Sequence, residues 1–263
     1  MNLENKVVLI TGASAGIGEA CAQAFARRRA RLILTARSAD ALDRVCWKVA
    51  PAQATAIRAD LRDPPEVEAL IKRAQAVHGH VDVLINNAGV GVYVPCWQAD
   101  PLIAREMMEV NFFAPLALIH GLVPLMRERG VGMIVNVSSI AGKVPLPWLT
   151  LYSASKAALN FLSDGLRMEL REAGIGVVSV CPGYVRTDFP QHVLAGEMPP
   201  AVADRKHFTI TARQCAEAIV RGVEKEKRTV VTPRSGWVFV AIARLLPGRV
   251  HRALARMQAP SGY

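Results

Sequence analysis

Lys6-Val7-Val8-Leu9-Ile10, followed by Thr11-Gly12-Ala13-Ser14-Ala15-Gly16-Ile17-Gly18, decides how this chain folds. The aliphatic run after Lys6 reads as a short buried strand over 6–10. Glycines at 12, 16 and 18 come next, and then an Ala-rich run from Glu19 to Arg29 that reads as a helix over 17–29. Strand, glycine turn and helix in that order form a receptor for a dinucleotide phosphate. Glycine lets the backbone turn sharply and lets a pyrophosphate approach the helix N-terminus. The spacing is G-x-x-x-G-x-G, not the commoner G-x-G-x-x-G.

The alternation continues outward from that unit. Strands are expected over 6–10, 31–35, 54–58, 81–85, 131–137, 175–180 and 228–232, and helices over 17–29, 39–49, 64–78, 101–128, 152–173 and 211–224. Asp-Pro steps at 63–64 and 100–101 read as helix starts, and Gly130 and Gly174 as helix stops. Strand-helix alternation of this kind builds an α/β fold: a doubly wound, parallel, seven-stranded sheet with helices on both faces. With 263 residues, 51% of them hydrophobic, and no linker or repeat, one domain over 1–263 is expected.

Tyr152 and Lys156 are four residues apart, so they share one face of a helix, and Ser139 lies thirteen residues upstream of the tyrosine. A phenol with its ordinary pKa of about 10 is a poor proton donor near neutral pH. An ammonium beside it favours the phenolate, so Lys156 is expected to lower the Tyr152 pKa. Ser139 can hydrogen-bond the same small oxygen. The set suits interconversion of a carbonyl and an alcohol when a separate carrier supplies the hydride.

Six segments together resemble the short-chain dehydrogenase/reductases: Thr11 to Gly18, Asn86-Asn87-Ala88-Gly89, Asn111, Ser139, Tyr152 to Lys156, and Pro182-Gly183. They occur in the order and spacing of that family and cover nearly the whole chain. The resemblance implies a Rossmann-like domain, a nicotinamide cofactor, and catalysis by Ser139, Tyr152, Lys156 and Asn111. It also implies cofactor contacts from Gly12, Ser14, Ala15, Gly16, Ile17, Gly18, Asp60, Leu61, Asn87, Ala88, Gly89, Tyr152, Lys156, Pro182, Gly183, Val185 and Thr187.

The end of the second strand selects the dinucleotide. An acidic residue there would bind the ribose hydroxyls and repel a 2′-phosphate. The chain reads Leu34-Thr35-Ala36-Arg37-Ser38, with no carboxylate before Asp40. Arg37 suits a 2′-phosphate, so NADP(H) is expected over NAD(H). Ala15 stands where many NADP-using relatives carry a basic residue. At Pro115, the missing N–H leaves the Asn111 carbonyl without its helical partner, so a bend is expected there. In the family, an Asn at this place holds a water beside the lysine. The implied proton relay runs from the substrate through Tyr152, a ribose hydroxyl, Lys156 and that water to solvent.

The segments Val90–Trp97, Ala141–Leu151 and Tyr184–Phe208 correspond to the family's substrate loops. They carry Val92, Tyr93, Val94, Trp97, Val144, Leu146, Trp148, Leu149, Tyr184 and Phe189, with few charges besides Lys143 and Arg186. A lipophilic ketone or aldehyde fits such a lining, with residues 184–208 as a substrate lid. A 3-oxoacyl-carrier-protein reductase and a non-catalytic NADP-sensing protein are the alternatives. The first lacks the usual Asp-Gly-Gly-type tail here, and the second has no need of a proton donor.

Five scattered cysteines without C-x-x-C spacing read as thiols of a reducing, cytoplasmic protein, and no signal peptide opens the sequence. His78 and His80 read as loop residues, and no metal is expected. From Lys227 onward there are seven Lys/Arg (227, 228, 234, 244, 249, 252, 256) and no Asp or Glu, within a formal net charge of +10. The extension over about 233–263 contains Trp237 to Ala243, an apolar run too short for a bilayer span of about 20 residues. It then places Val250, Leu254 and Met257 opposite Arg249, Arg252 and Arg256. A basic amphipathic end of this kind suits peripheral contact with an anionic membrane. Without a recognition motif, nucleic acid is not an expected partner. The resemblance further implies a homodimer or homotetramer formed through the helices at 101–128 and 152–173, where Ser153, Ala154, Ala157 and Ala158 permit close packing.

Overall fold

Seven runs of aliphatic residues form one parallel sheet in the order 229–232, 175–182, 132–137, 83–86, 7–11, 31–36 and 54–58. The structure is a computed structural model describing residues 1–49, 54–197 and 209–256. The strands are β1 (Val7–Thr11), β2 (Arg31–Ala36), β3 (Ala54–Arg58), β4 (Val83–Asn86), β6 (Gly132–Val137), β7 (Ile175–Pro182) and β11 (Thr229–Thr232). Two short pairs lie outside the sheet: β5 (Val92–Tyr93) with β9 (Ala195–Gly196), and β8 (Tyr184–Arg186) with β10 (Thr209–Thr211). The helices are α1 (Gly16–Ala26), α2 (Ala39–Lys48), α3 (Pro64–His78), α4 (Pro101–Met108), α5 (Ala114–Arg129), α6 (Thr150–Glu169), α7 (Ala212–Glu224), α8 (Gly236–Leu245) and α9 (Pro247–Leu254).

Both sheet faces are covered, as near-continuous apolar strands require. Side chains alternate along β1, so Val8 and Ile10 pack with Phe25 of α1 and Ile219 and Val223 of α7. Val7 and Leu9 face the other way, toward Leu70 of α3 and Leu118 and Leu122 of α5. This is the Rossmann-like doubly wound arrangement expected from the sequence. Strand order reverses between β1 and β4, which opens a crevice beyond their carboxyl ends.

A buried carboxylate ties the other end of the sheet. Asp82 accepts from Val7 N at 2.9 Å and from Arg129 at 2.8 Å. Burial alone would raise its pKa, but the Val7 N–H, Arg129 and Lys6 outweigh burial and hold it below the ordinary carboxylate range. His80 joins the same group, its Nε2 3.2 Å from Asp82, so it is more than a solvated loop residue.

Three departures from expectation have local causes. The stretch 101–128 is not one regular helix, because a π turn over Glu109–Phe113 separates α4 from α5. Ala114 N donates to Glu109 O, so the wider turn accommodates a missing Pro115 N–H that was expected to produce only a bend. That stretch is apolar enough to span a bilayer by length, but it packs on the sheet through Leu118, Leu122 and Met126. The helix expected over 152–173 ends at Glu169, and Gly174, with φ +70°, turns the chain into β7. Both Asp-Pro steps start helices, yet only Asp100 caps through its side chain, accepting from Leu102 N at 2.8 Å.

Candidate active site

The glycine turn after β1 brings backbone against backbone. Gly12 and Gly16 have φ +63° and +57°, and a Cβ on Gly18 would lie 2.1 Å from Gly12 O. A Cβ on Gly12 would lie 2.9 Å from Ala88 Cα, so only glycine lets the turn meet the end of β4. Thr11 staples that junction. Its Oγ1 accepts from Asn87 N and Ala88 N, each at 3.0 Å, and Asn87 Nδ2 donates to Thr11 O at 2.9 Å. The resulting cradle contains Gly12, Ser14, Ala15, Gly16, Ile17 and Gly18 at the start of α1, with Asn87, Ala88 and Gly89 beside it. At Gly12, Gly16 and Gly18 the main chain carries no side chain to bar an approaching pyrophosphate, so the residues fit a dinucleotide. Thr187, after β8, closes the other side: a Cβ on Gly16 would lie 3.2 Å from its Cγ2. Pro182 ends β7, Gly183 N donates to Thr232 O at 2.8 Å, and Val185 packs on the core beneath.

Ser139 follows β6, whereas Tyr152 and Lys156 lie in the first turns of α6. The structure brings the three together at the crevice. Lys156 is 4% exposed, donates through Nζ to Val137 O at 3.0 Å, and sits 5.8 Å from the centroid of the Tyr152 ring. A Cβ on Gly89 would lie 3.1 Å from that Nζ, so the cradle and the lysine are contiguous. Ser138, next to Ser139, is buried and donates to Lys156 O at 2.9 Å, facing away as extended neighbours do.

The electrostatics differ from the sequence expectation. Burial pushes the Tyr152 phenol up to about 12, against a lowering from its hydrogen bond with Ser139. Burial also pushes Lys156 down to about 8. Burial, not the ammonium, is thus the largest influence on the phenol here, and the acidification expected from Lys156 is not seen in this structure. Removing both groups from water disfavours each charged form, and the lysine proton is directed at Val137 O.

Asn111, at the π turn, is fully buried and holds the neighbouring loop. Its Oδ1 accepts from Val90 N at 2.9 Å, and its Nδ2 donates to Val90 O at 2.9 Å and Ser155 Oγ at 3.0 Å. The side chain thus braces the segment that carries Gly89. Behind it, Asn86 Nδ2 donates to Asn136 Oδ1 at 2.8 Å and Asn136 Nδ2 to Ser163 Oγ at 2.9 Å, a buried tie between β4, β6 and α6. Ser155, Asn160 and the Val137 carbonyl escaped sequence reasoning. Only the placement of Ser155 and Asn160 on the same helix as Lys156 hinted at them.

Arg37 is exposed at the end of β2, and its charge helps hold the Asp60 carboxyl low, behind the stronger effect of the Arg62 hydrogen bond. Asp60 is engaged by Arg62 Nε at 3.0 Å, so its carboxylate is already committed, while Leu61 is buried in the core.

On the open side, Phe189 stacks at a tilt on Tyr152 with centroids 6.0 Å apart. Trp97 and Trp148 meet at 6.5 Å. The β5–β9 pair, with Leu194 N donating to Gly91 O at 2.9 Å, clasps the loop after β4 to the segment after β8. Val92, Val94 and Met107 form an apolar wall beside Tyr152. Tyr93 and Leu149 are buried and Tyr184 half-buried. Val144 and Leu146 do not line this side; they pack under α8 and α9. Residues 198–208 of the expected lid lie outside the described residues. No group of three His, Cys, Asp or Glu among the described residues could hold a metal ion.

A family profile described as short chain dehydrogenase matches residues 6–197. The chain is 35% identical over 262 residues to dehydrogenase/reductase SDR family member 7B of Mus musculus, covering 96% of this chain and 81% of that one. It is 35% identical to the ketoacyl reductase HetN of Nostoc, covering 93% and 84% of the two chains. Among solved structures, a short-chain dehydrogenase from Sphingobium yanoikuyae in complex with NADPH superposes with a TM-score of 0.80 at 28% identity, covering 98% of this chain and 100% of that chain. One from Burkholderia phymatum in complex with NAD gives 0.84 at 25% identity, with full coverage of both at 100%.

Proposed function

The chain belongs to the short-chain dehydrogenase family of oxidoreductases, and from that membership we propose an NADP(H)-dependent enzyme that interconverts a lipophilic ketone or aldehyde and its alcohol. One observation carries the reading: Tyr152, Lys156 and Ser139 meet where the glycine cradle ends, with Lys156 packed against Gly89.

When bound, a nicotinamide dinucleotide would supply or accept the hydride. Gly12 to Gly18 would hold its phosphates by backbone N–H groups, Arg37 would meet a 2′-phosphate, and Thr187 would close over the cradle. Tyr152, with a pKa of about 12, is a phenol at neutral pH and protonates the oxyanion as carbonyl reduction proceeds. Ser139 hydrogen-bonds the same oxygen and steadies the negative charge that develops there. Lys156, at about 8, exchanges its proton near neutrality and can return one to the site after each turnover. The Val137 carbonyl and the Asn111–Val90 clamp keep Lys156 and Gly89 in register. In the oxidative direction the same tyrosine, as phenolate, removes the hydroxyl proton.

The apolar wall of Val92, Val94 and Phe189 supports a lipophilic substrate. A 3-oxoacyl thioester is the second reading, favoured by the similarity to the Nostoc ketoacyl reductase. Exposed Phe113, Phe161 and Met168 on the α4–α6 surface support a homo-oligomer through those helices. The test is NADPH and NADH consumption against a panel of aromatic, steroidal and long-chain carbonyls together with 3-oxoacyl thioesters. Turnover with NADPH on an apolar carbonyl is expected. NADPH binding without turnover on any carbonyl would instead identify a sensor.

A further inference from the structure

We propose that α8 docks the protein on an anionic membrane surface. This helix, Gly236–Leu245, has one interior face and one exterior face, and both are apolar. Val240 and Ala243 are buried with Val144 and Leu254 in a small separate core. On the opposite side Trp237, Val238, Ile242 and Leu245 are 44%, 61%, 46% and 80% exposed. Positions 238, 242 and 245 fall on one stripe of a helix, and Leu246 extends it at 44% exposure. An exposed apolar stripe of this kind marks a docking surface.

The apolar face expected on α9 is not that surface. Val250 and Leu254 turn inward onto α8, whereas Arg249 and Arg252 are exposed; Met257 lies outside the described residues. Arg234 and Arg244 are also exposed, so exposed arginines flank the α8 stripe on both sides in sequence. No Asp or Glu occurs after Glu226, so this surface has no acidic residue of its own segment to pair with.

Charge selects the occupant. A second copy docked face to face would set arginine against arginine, in a chain whose net charge is already +10. Lipid phosphates supply the opposite sign, and the planar guanidinium fork suits them. Ten residues of helix reach about 15 Å, half of a hydrocarbon core, so α8 lies in the interface and does not cross it. Such a position rests on apolar insertion by Val238, Ile242 and Leu245 and on headgroup attraction by the arginines. Docking is independent of the redox reading, because none of these side chains is among the site residues described above.

The test is cosedimentation of the full chain, saturated with NADPH, with vesicles of phosphatidylcholine alone or mixed with phosphatidylglycerol. Binding to the mixed vesicles only, weakening as salt rises, is expected. Ile242→Asp with Leu245→Asp should abolish it, and Arg249→Glu with Arg252→Glu should lower partitioning about 25-fold or more, at about fivefold for each arginine lost. Both pairs are exposed, so NADPH binding should be unchanged; if the aspartate pair fails to fold, Val238→Ser with Leu245→Ser carries the same expectation. Failure of the unaltered chain to bind mixed vesicles would overturn the proposal. So would binding that survives the apolar substitutions. A smaller sedimentation coefficient of the Ile242→Asp, Leu245→Asp protein in lipid-free buffer would assign the face to a second copy, and overturn it too.

Discussion

Asn111 grips Val90 by both ends of its side-chain amide, accepting from the N–H and donating to the carbonyl, each at 2.9 Å. The clamp fixes the loop whose Gly89 touches the lysine, and a second amide proton goes to Ser155 on α6. Asn111→Ala leaves a buried backbone pair unsatisfied, at a cost of about 2 kcal/mol. We expect Tm to fall by about 4–8 °C, and kcat to fall while the protein still binds NADPH. Thermal denaturation beside steady-state kinetics checks both. Unchanged Tm and kcat would show that the clamp is dispensable.

Arg37 stands at the end of β2 with no acidic neighbour on that strand. Replacing it with Asp puts a carboxylate where the 2′-phosphate is proposed to lie. The ratio of kcat/KM for NADPH to that for NADH should fall about tenfold or more, since losing a charge-assisted contact costs about 1.5–3 kcal/mol. An unchanged ratio would place the cofactor's adenosine end elsewhere.

Lys156 gives a signed pH dependence. Its folded pKa of about 8 lies below the ordinary lysine value, so between about 8 and 10.5 the unfolded chain holds the proton that the folded chain has lost. The stability this linkage contributes is present above the unfolded pKa and is lost as pH falls through about 8. Lys156→Met removes the linkage. Its Tm relative to the unaltered protein should therefore be highest near pH 7 and decline as pH rises from 8 toward 10. A Tm difference that is flat over this range would contradict the buried, desolvated lysine.

Much of this was legible from the chain. Strands such as 54–58 and the helix at 64–78 match because β-branched runs end at glycine, proline or acidic breakers that act locally. The β5–β9 clasp was not legible, since strands of two residues are defined only by a partner about 100 positions away. Pro115 was visible as a broken hydrogen bond, but its accommodation as a π turn depends on how 109–113 packs against α6. In the site, the spacing of Tyr152 and Lys156 located both groups on one helix face. It did not reveal their protonation, because the largest influence on both is desolvation by the surrounding chain, which the spacing of two residues does not encode.

Phe161 and Met168 occupy one face of α6 at 81% and 75% exposure, and Phe113, in the π turn between α4 and α5, is 48% exposed. Within the same helix Ser153 is buried while Ala154 remains exposed, leaving a low surface for close approach. If this surface joins copies of the chain, Phe161→Glu should lower the sedimentation coefficient without altering NADPH binding. The same coefficient in both proteins would remove these helices from any interface.

Tyr152→Phe is the most direct test, because it deletes one oxygen and keeps the ring against Phe189. The measurement is single-turnover NADPH oxidation with a reducible carbonyl, read beside NADPH affinity from fluorescence titration. Loss of a positioned acid predicts a rate lower by about 10²- to 10⁴-fold with NADPH affinity preserved. A phenylalanine variant that binds NADPH and turns over at a comparable rate would contradict the assignment of the proton to residue 152.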